Sequence, residues 1–474
     1  MTDAKSFEKT RRKALLSRAI AAITALAVAA TAGPSAAQQD PARALPVIRD
    51  AEIEQLLRDY TAPILRAAGL AQQNIRVVII NNRSFNAFVM DGRRIFINVG
   101  ALLDAKVPNE VIGVLAHETG HIAGGHLSKM REEMARAETS SVIAMLLGLG
   151  AAVAGARSGS NNAGQIAGAA LSAPQEMVQR SLLSYVRAQE EQADRAGVKF
   201  LTATGQSPKG MRDTFKRLAD QIQFSARFID PYLQTHPMPK ERVEALEQYA
   251  VTSPYWDRKD PPELQLRHDL MRAKLAGFIE RPDVVASHYP LSDNSLPARY
   301  ARAIVTYRNS DLTRALAQID GLLQAQPGNP YFLELKGQAL LENGRANEAI
   351  APLRRAADLA PNGVLIRIML GQALVATNNP KNAEEAIPLL KMALAREPDT
   401  PEGFMQLAMA YGRKGDLAEA DLASAQAAFA RGDIKTARDL ATRAKARFPT
   451  GSPGWVRAED LASLKLQMPI IRRY

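Results

Sequence analysis

At 474 residues the chain is too long for a single hydrophobic core, and length alone argues for about three domains. The apolar and charged fractions, 46% and 23%, exclude a disordered or fibrous polymer, while 5% aromatic residues amid abundant Ala and Leu point to a mainly helical chain. With no cysteine, disulfides, thiolate nucleophiles and thiolate metal ligands are excluded, and the net charge of +11, of which residues 1–37 hold +4, accompanies no nucleic-acid motif.

Lys9, Arg11, Arg12, Lys13 and Arg18 precede the apolar run Ala19–Ala32, and Ser35-Ala36-Ala37 offers small residues before Gln38. This is the pattern of a cleavable signal peptide over residues 1–37, since the run is short for a membrane span. Apolar spacing then predicts a helix over 50–70, kinked at Pro63. Ile75–Ile80 reads as a mostly buried strand, and Ala87–Met90 and Arg94–Asn98 flank Asp91-Gly92 as a hairpin. An edge strand here has two readings: it pairs with an extended peptide, or it only packs the domain.

Asn109 is suited to cap the next helix, with Glu110 in its first turn. That helix carries His117-Glu118-Thr119-Gly120-His121, the H-E-x-x-H pattern. Histidines at i and i+4 share one helical face and can hold one metal ion, with Glu118 beside them as a base. His126 falls about 140° further round and is expected to be structural or to support a ligand from behind. Residues 139–175 hold six glycines and a single charged residue, Arg157. A mobile flap is the favoured reading, with peripheral membrane contact or a buried hairpin as alternatives.

Helical pattern resumes over 175–201 with Glu190, Glu191 and Asp194, and Gly205 and Pro208 end it. A helix follows from Lys209 to about Phe224. His236-Pro237 sits on an extended turn, and Pro239 opens a further helix. Residues 253–262 read as a boundary and 254–295 as a helical linker, in which His268 and His288 are surface or packing residues.

From Leu296 the chain repeats. Gly337 and Gly371 lie 34 residues apart, as do Pro327 and Pro361. Gly337, Leu340, Ala349, Leu353, Ala356 and Pro361 match the small and large positions of a tetratricopeptide repeat. Gly371, Leu374, Ala386, Leu390, Ala393 and Pro398 form a second unit with three extra residues between its helices. Degenerate units around Ala303–Pro327 and Phe404–Ala420 flank them, the latter continuing through Gly432-Asp433 into a helix ending near Pro449.

A catalytic zinc needs three protein ligands and an open position. His117 and His121 are two, and Glu190, Glu191, Asp194, His236 and His126 are candidates for the third. H-E-T-G-H followed by E-E-Q-A-D-R-A-G resembles the HtpX and CAAX-prenyl-protease superfamily of gluzincin peptidases. The resemblance implies one zinc ion per chain, with Glu190 as third ligand, Asp194 orienting a ligand histidine, and Glu118 as catalytic base. Asn86-Ala87-Phe88 resembles the family's edge-strand motif. Within the superfamily a histidine on a His-Pro loop can fill the open zinc position and hold the enzyme latent, and His236-Pro237 resembles that site. A hydrogen bond from His236 to the developing oxyanion is the competing role, a turn histidine without metal contact the third; Arg242 and Tyr185 are further oxyanion candidates.

The expected fold is thus mainly α. A zinc metallopeptidase domain with a small β-sheet (38–253) is followed by the linker (254–295) and an α-solenoid of tetratricopeptide repeats (296–474). The implied function is hydrolysis of misassembled or stalled proteins in the periplasm, in outer-membrane protein quality control. The repeats would bind unfolded substrates or the barrel-assembly machinery. A chaperone or adaptor with a mostly latent protease site is the alternative, and an integral-membrane protease is disfavoured because no later run has about 20 apolar residues.

Overall fold

The computed structural model describes residues 45–136, 184–224, 236–237 and 240–464, with the side chains of 221–224 excepted. The signal-peptide pattern and the glycine-rich stretch 139–175 lie outside the described residues. Val47–Ile48 (β1), Arg76–Ile80 (β2), Ala87–Val89 (β3) and Arg94–Asn98 (β4) form one sheet in the order β1-β2-β4-β3. The β3–β4 hairpin is the expected one, turning where Gly92 adopts φ +73°. β2 pairs parallel with β4, register Val78 to Phe96, while β1 closes the far edge antiparallel to β2. Ile79, Ile95 and Ile97 are buried in a core shared with Ile53, Leu57 and Ile64 of helix α1, Ala51–Ala67. Asp50 caps α1 by accepting from Ile53 N, and the helix continues past Pro63.

After the short helix α2, Val99–Asp104, comes α3, Pro108–Ala123. Asn109 is not its cap. Pro108 opens the helix, and Asn109 instead reaches across to α6, Lys209–Phe224. Its Oδ1 accepts from Gly210 N (2.8 Å) and its Nδ2 donates to Ser207 O (2.8 Å), satisfying the start of a neighbouring helix. Between α3 and α6 lie α4 (126–136) and α5, described over 184–203; α7 is Lys240–Ala250.

Helix α8, Pro262–Ile279, has two buried faces. Met271 and Leu275 enter the core beneath the sheet, whereas Leu270, Ala273 and Ala276 pack with Tyr300, Ile304 and Phe332. His268, on this helix, is fully buried between Tyr60 Oη (3.0 Å) and Ala105 O (2.9 Å). His288 is exposed at the end of α9, Pro282–His288.

Helix pairs follow: α10 and α11 (Leu296–Arg308, Leu312–Ala325), α12 and α13 (Pro330–Glu342, Ala346–Leu359), α14 and α15 (Val364–Ala376, Pro380–Arg396), α16 and α17 (Pro401–Lys414, Leu417–Arg431). The repeat signature has a steric cause. A Cβ on Gly371 would stand 2.6 Å from Leu390 Cδ2, and one on Gly337 would collide with Leu353. Only hydrogen at these positions lets the paired helices close on the large partner. The three extra residues of the second unit do not lie between its helices: they lengthen α15 to 17 residues, against 14 in α13. Gly432, at φ +83°, separates α17 from α18, Ile434–Arg447, and a helix not read from the sequence, α19 (Pro453–Ala462), follows.

Candidate metal centre

α3 and α5 approach closely because residue 120 is glycine. A Cβ there would lie 2.8 Å from Ala193 O on α5. Two i, i+4 pairs therefore face each other, His117 and His121 on α3 against Glu190 and Asp194 on α5. His117 Nε2 and His121 Nε2 are 3.1 Å apart, and Glu190 carboxylate oxygens stand 3.5 Å and 3.4 Å from them. His236 completes the group, its Nδ1 3.0 Å from Glu190 Oε1. One ligand atom from each of these four residues falls within 4.8 Å of the others, and His117, Glu190 and His236 are buried.

Both histidines of the H-E-x-x-H pattern are held from behind. Asp194 Oδ1 lies 2.9 Å from His117 Nδ1, at the distance though not the angle of a good hydrogen bond. His126 Nδ1 lies 3.0 Å from His121 Nδ1, and its Nε2 lies 3.3 Å from Gln192 Oε1. With Gln192 Oε1 accepting, His126 carries its proton on Nε2 and accepts at Nδ1 from His121. That leaves the His121 Nε2 lone pair facing the site. Asp194 favours the same tautomer in His117. Gln192 and the contact to His126 were not read from the sequence.

Arg242 gathers the rest. Its Nε and Nη2 donate to the two Asp194 oxygens (2.7 and 2.8 Å), and its Nη1 is 2.7 Å from Glu190 Oε2 and donates to Pro237 O (3.0 Å). These contacts commit its donors to the carboxylates and to the His-Pro turn, a different setting from the oxyanion role considered above. Glu191 pairs with Arg195 at 2.8 Å and is 58% exposed, so it is no ligand candidate. Tyr185 is half-buried on α5.

Glu118 is fully buried, and neither of its oxygens makes a hydrogen bond among the described residues; His236 Nε2 is 3.6 Å from Oε1. The protein leaves this carboxylate unsatisfied, which a divalent cation and its water would remedy. The residues present fit a metal.

Residues 48–250 match Peptidase family M48, and residues 300–364 and 340–402 match tetratricopeptide-repeat families. The chain carries a peptidase family M48 domain followed by tetratricopeptide repeats. It is 25% identical over 347 residues to the beta-barrel assembly-enhancing protease of Escherichia coli strain K12, covering 71% of this chain and 68% of that one. Metalloprotease LoiP of the same organism is 28% identical over 39% of this chain and 69% of its own. The mitochondrial metalloendopeptidase OMA1 of Schizosaccharomyces pombe is 24% identical over 39% of this chain and 50% of its own. The M48 domain is that of a metalloendopeptidase. Among the described residues no helix is long and apolar enough to cross a membrane.

The electrostatics of the M48 site suit cation binding. Burial opposes charge on Glu190, yet His236, His117 and Arg242 hold its carboxyl well below the usual range. Asp194 is likewise lowered against its burial, by Arg242 and His117. Burial and the neighbouring His117 push His121 well below an ordinary imidazole. Burial also draws His117 down, but Asp194 and Glu190 outweigh it and raise the imidazole to about 9. Glu118 is pushed up, chiefly by burial, which makes it a stronger base than a solvated carboxylate.

Proposed function

We propose that this protein is an exported, periplasmic zinc endopeptidase that hydrolyses misassembled or stalled polypeptides during outer-membrane protein assembly, with the repeats binding substrate or the barrel-assembly machinery. One observation carries the reading: His117, His121 and Glu190 converge beside a buried Glu118 whose oxygens make no hydrogen bond among the described residues. Two imidazoles and a carboxylate form a donor set suited to zinc. His117, His121 and Glu190 would hold the zinc, which would supply Lewis acidity toward the scissile carbonyl and the attacking water. Glu118 takes the proton of the attacking water and hands it to the leaving amine. Asp194 and His126 keep the ligand imidazoles in the metal-facing tautomer, and Arg242 holds Glu190 and Asp194 in place. The named relative with 25% identity over most of the chain supports the place in barrel assembly.

Purified Glu118→Gln chain is expected to retain zinc and lose at least about a thousandfold in hydrolysis of an unfolded substrate such as casein. Hydrolysis at the wild-type rate contradicts the mechanism.

A second reading has its own observation. His236 belongs to the same four-residue group, so it can act as a fourth ligand that displaces the water and keeps the protease latent. The protein would then serve mainly as a chaperone or adaptor. His236→Ala raises hydrolysis if the histidine is a latch and lowers it if it is an oxyanion donor.

A further inference from the structure

The buried charge that the peptidase chemistry does not use lies where the M48 domain meets the repeats. Lys274 of α8, 4% exposed, faces three carboxylates: Asp50 Oδ2 at 2.8 Å, Glu52 Oε2 at 3.3 Å and Glu334 Oε2 at 3.5 Å. Tyr300 Oη donates to Glu52, and Arg49 next to Asp50 is engaged with Glu54 and Glu397. One ammonium thus serves three acids in a chain whose overall charge is +11. Glu334 is the least served. It is 5% exposed, and its Oε2 makes no hydrogen bond in the described structure. A buried carboxylate in that condition is costly unless a further donor arrives.

A cavity of about 400 Å³ adjoins it, with Lys274 and Glu334 in its wall. The remaining wall is mostly aliphatic, with Asp50, Arg49 (committed to Glu54 and Glu397), Gln338 and Gln372 as its polar members. Ile48 comes from the M48 side, and Leu365, Ile368 and Met369 come from α14. An apolar sleeve ending on an under-neutralised carboxylate suits one kind of occupant, a side chain with an aliphatic stem and a cationic head.

We propose that this cavity binds a lysine or arginine side chain of a polypeptide held between the M48 domain and the repeats. The cation completes the hydrogen bonding of Glu334, and its stem lies against α14. Burial pushes the Glu334 carboxyl up to about 7, with Lys274 pulling it down and Asp50 and Glu52 pushing it further up. Protonation would remove the attraction, so affinity falls as pH drops through that value.

The test uses the full chain carrying Glu118→Gln, so that the probe stays intact. Two end-blocked fluorescent peptides are titrated by anisotropy, Ala-Leu-Lys-Leu-Ala and the same peptide with norleucine for lysine. Wild-type cavity residues are expected to favour the lysine peptide by about tenfold, more strongly near pH 8 than near pH 6. Glu334→Gln should abolish that preference. Gln372→Arg, at an exposed position lining the cavity, should do the same without touching the buried cluster, and it decides the matter if Glu334→Gln fails to fold. Equal binding of the two peptides, no binding of either, an unchanged preference in the folded variants, or displacement of the probe by millimolar calcium would overturn the proposal.

Discussion

His121 turns its Nε2 to the candidate metal site and its Nδ1 to His126, and in the proposed centre this second contact sets how well it would bind. Replacing His126 by Ala leaves the ring free to rotate and to hold its proton on the wrong nitrogen. Zinc affinity is expected to fall by roughly 10- to 100-fold, with turnover per bound zinc little changed and His126→Asn giving partial recovery. Chelator competition measures this, and unaltered affinity would remove His126 from the account. The facing of His117 and His121 was legible because i, i+4 geometry is local. The part played by His126 was only half legible. A continued helix puts it about 140° from His121. The helix instead stops at Ala123, Gly125 takes φ +62°, and a new helix begins at His126, which brings the ring back onto His121. The ion pairs of Arg242 with Glu190 and Asp194 and the contact of Gln192 to His126 gave no local signal, since those partners lie dozens of residues away.

At the scale of elements, small residues set how closely helices approach. Gly371→Ala would press a methyl into Leu390, and about 1–3 kcal/mol of destabilisation is expected from such overpacking. Thermal unfolding reads it. Adding Leu390→Ala should relieve the clash, so that the pair costs less than the sum of the single changes, whereas strict additivity would refute this packing argument. The repeats were legible because each unit restates the same spacing. The position of the three-residue insertion was not, because a longer α15 and a longer loop leave the same gaps between Gly371 and Ala386. The terminal helix Pro453–Ala462 lies beyond the last unit in register, so periodicity gave no hint of it. Likewise the parallel pairing of Arg76–Ile80 with Arg94–Asn98 is non-local, and the hairpin signal at Asp91-Gly92 speaks only for the adjacent pair.

At the scale of the whole molecule, the described residues from Val47 onward belong to one compact unit. The stretch expected to be a linker supplies a helix shared by both cores, with His268 tying it to Tyr60 and Ala105. Its two apolar faces were not separable in sequence, because polar residues such as Gln265, Arg267, Asp269 and Arg272 are spread all round the helix. The metal centre is also a product of the whole. Its residues come from α3, α5 and the turn before α7, and Arg242 of α7 ties them together. His117, His121 and Glu190 are proposed to hold one zinc beside Glu118. Anomalous scattering at the zinc edge from crystals of the zinc-loaded full chain tests it most directly. One ion is expected, about 2.0–2.2 Å from His117 Nε2, His121 Nε2 and a Glu190 oxygen, with Glu118 not coordinated. An ion ligated by other residues, or no ion at saturating zinc, would contradict it.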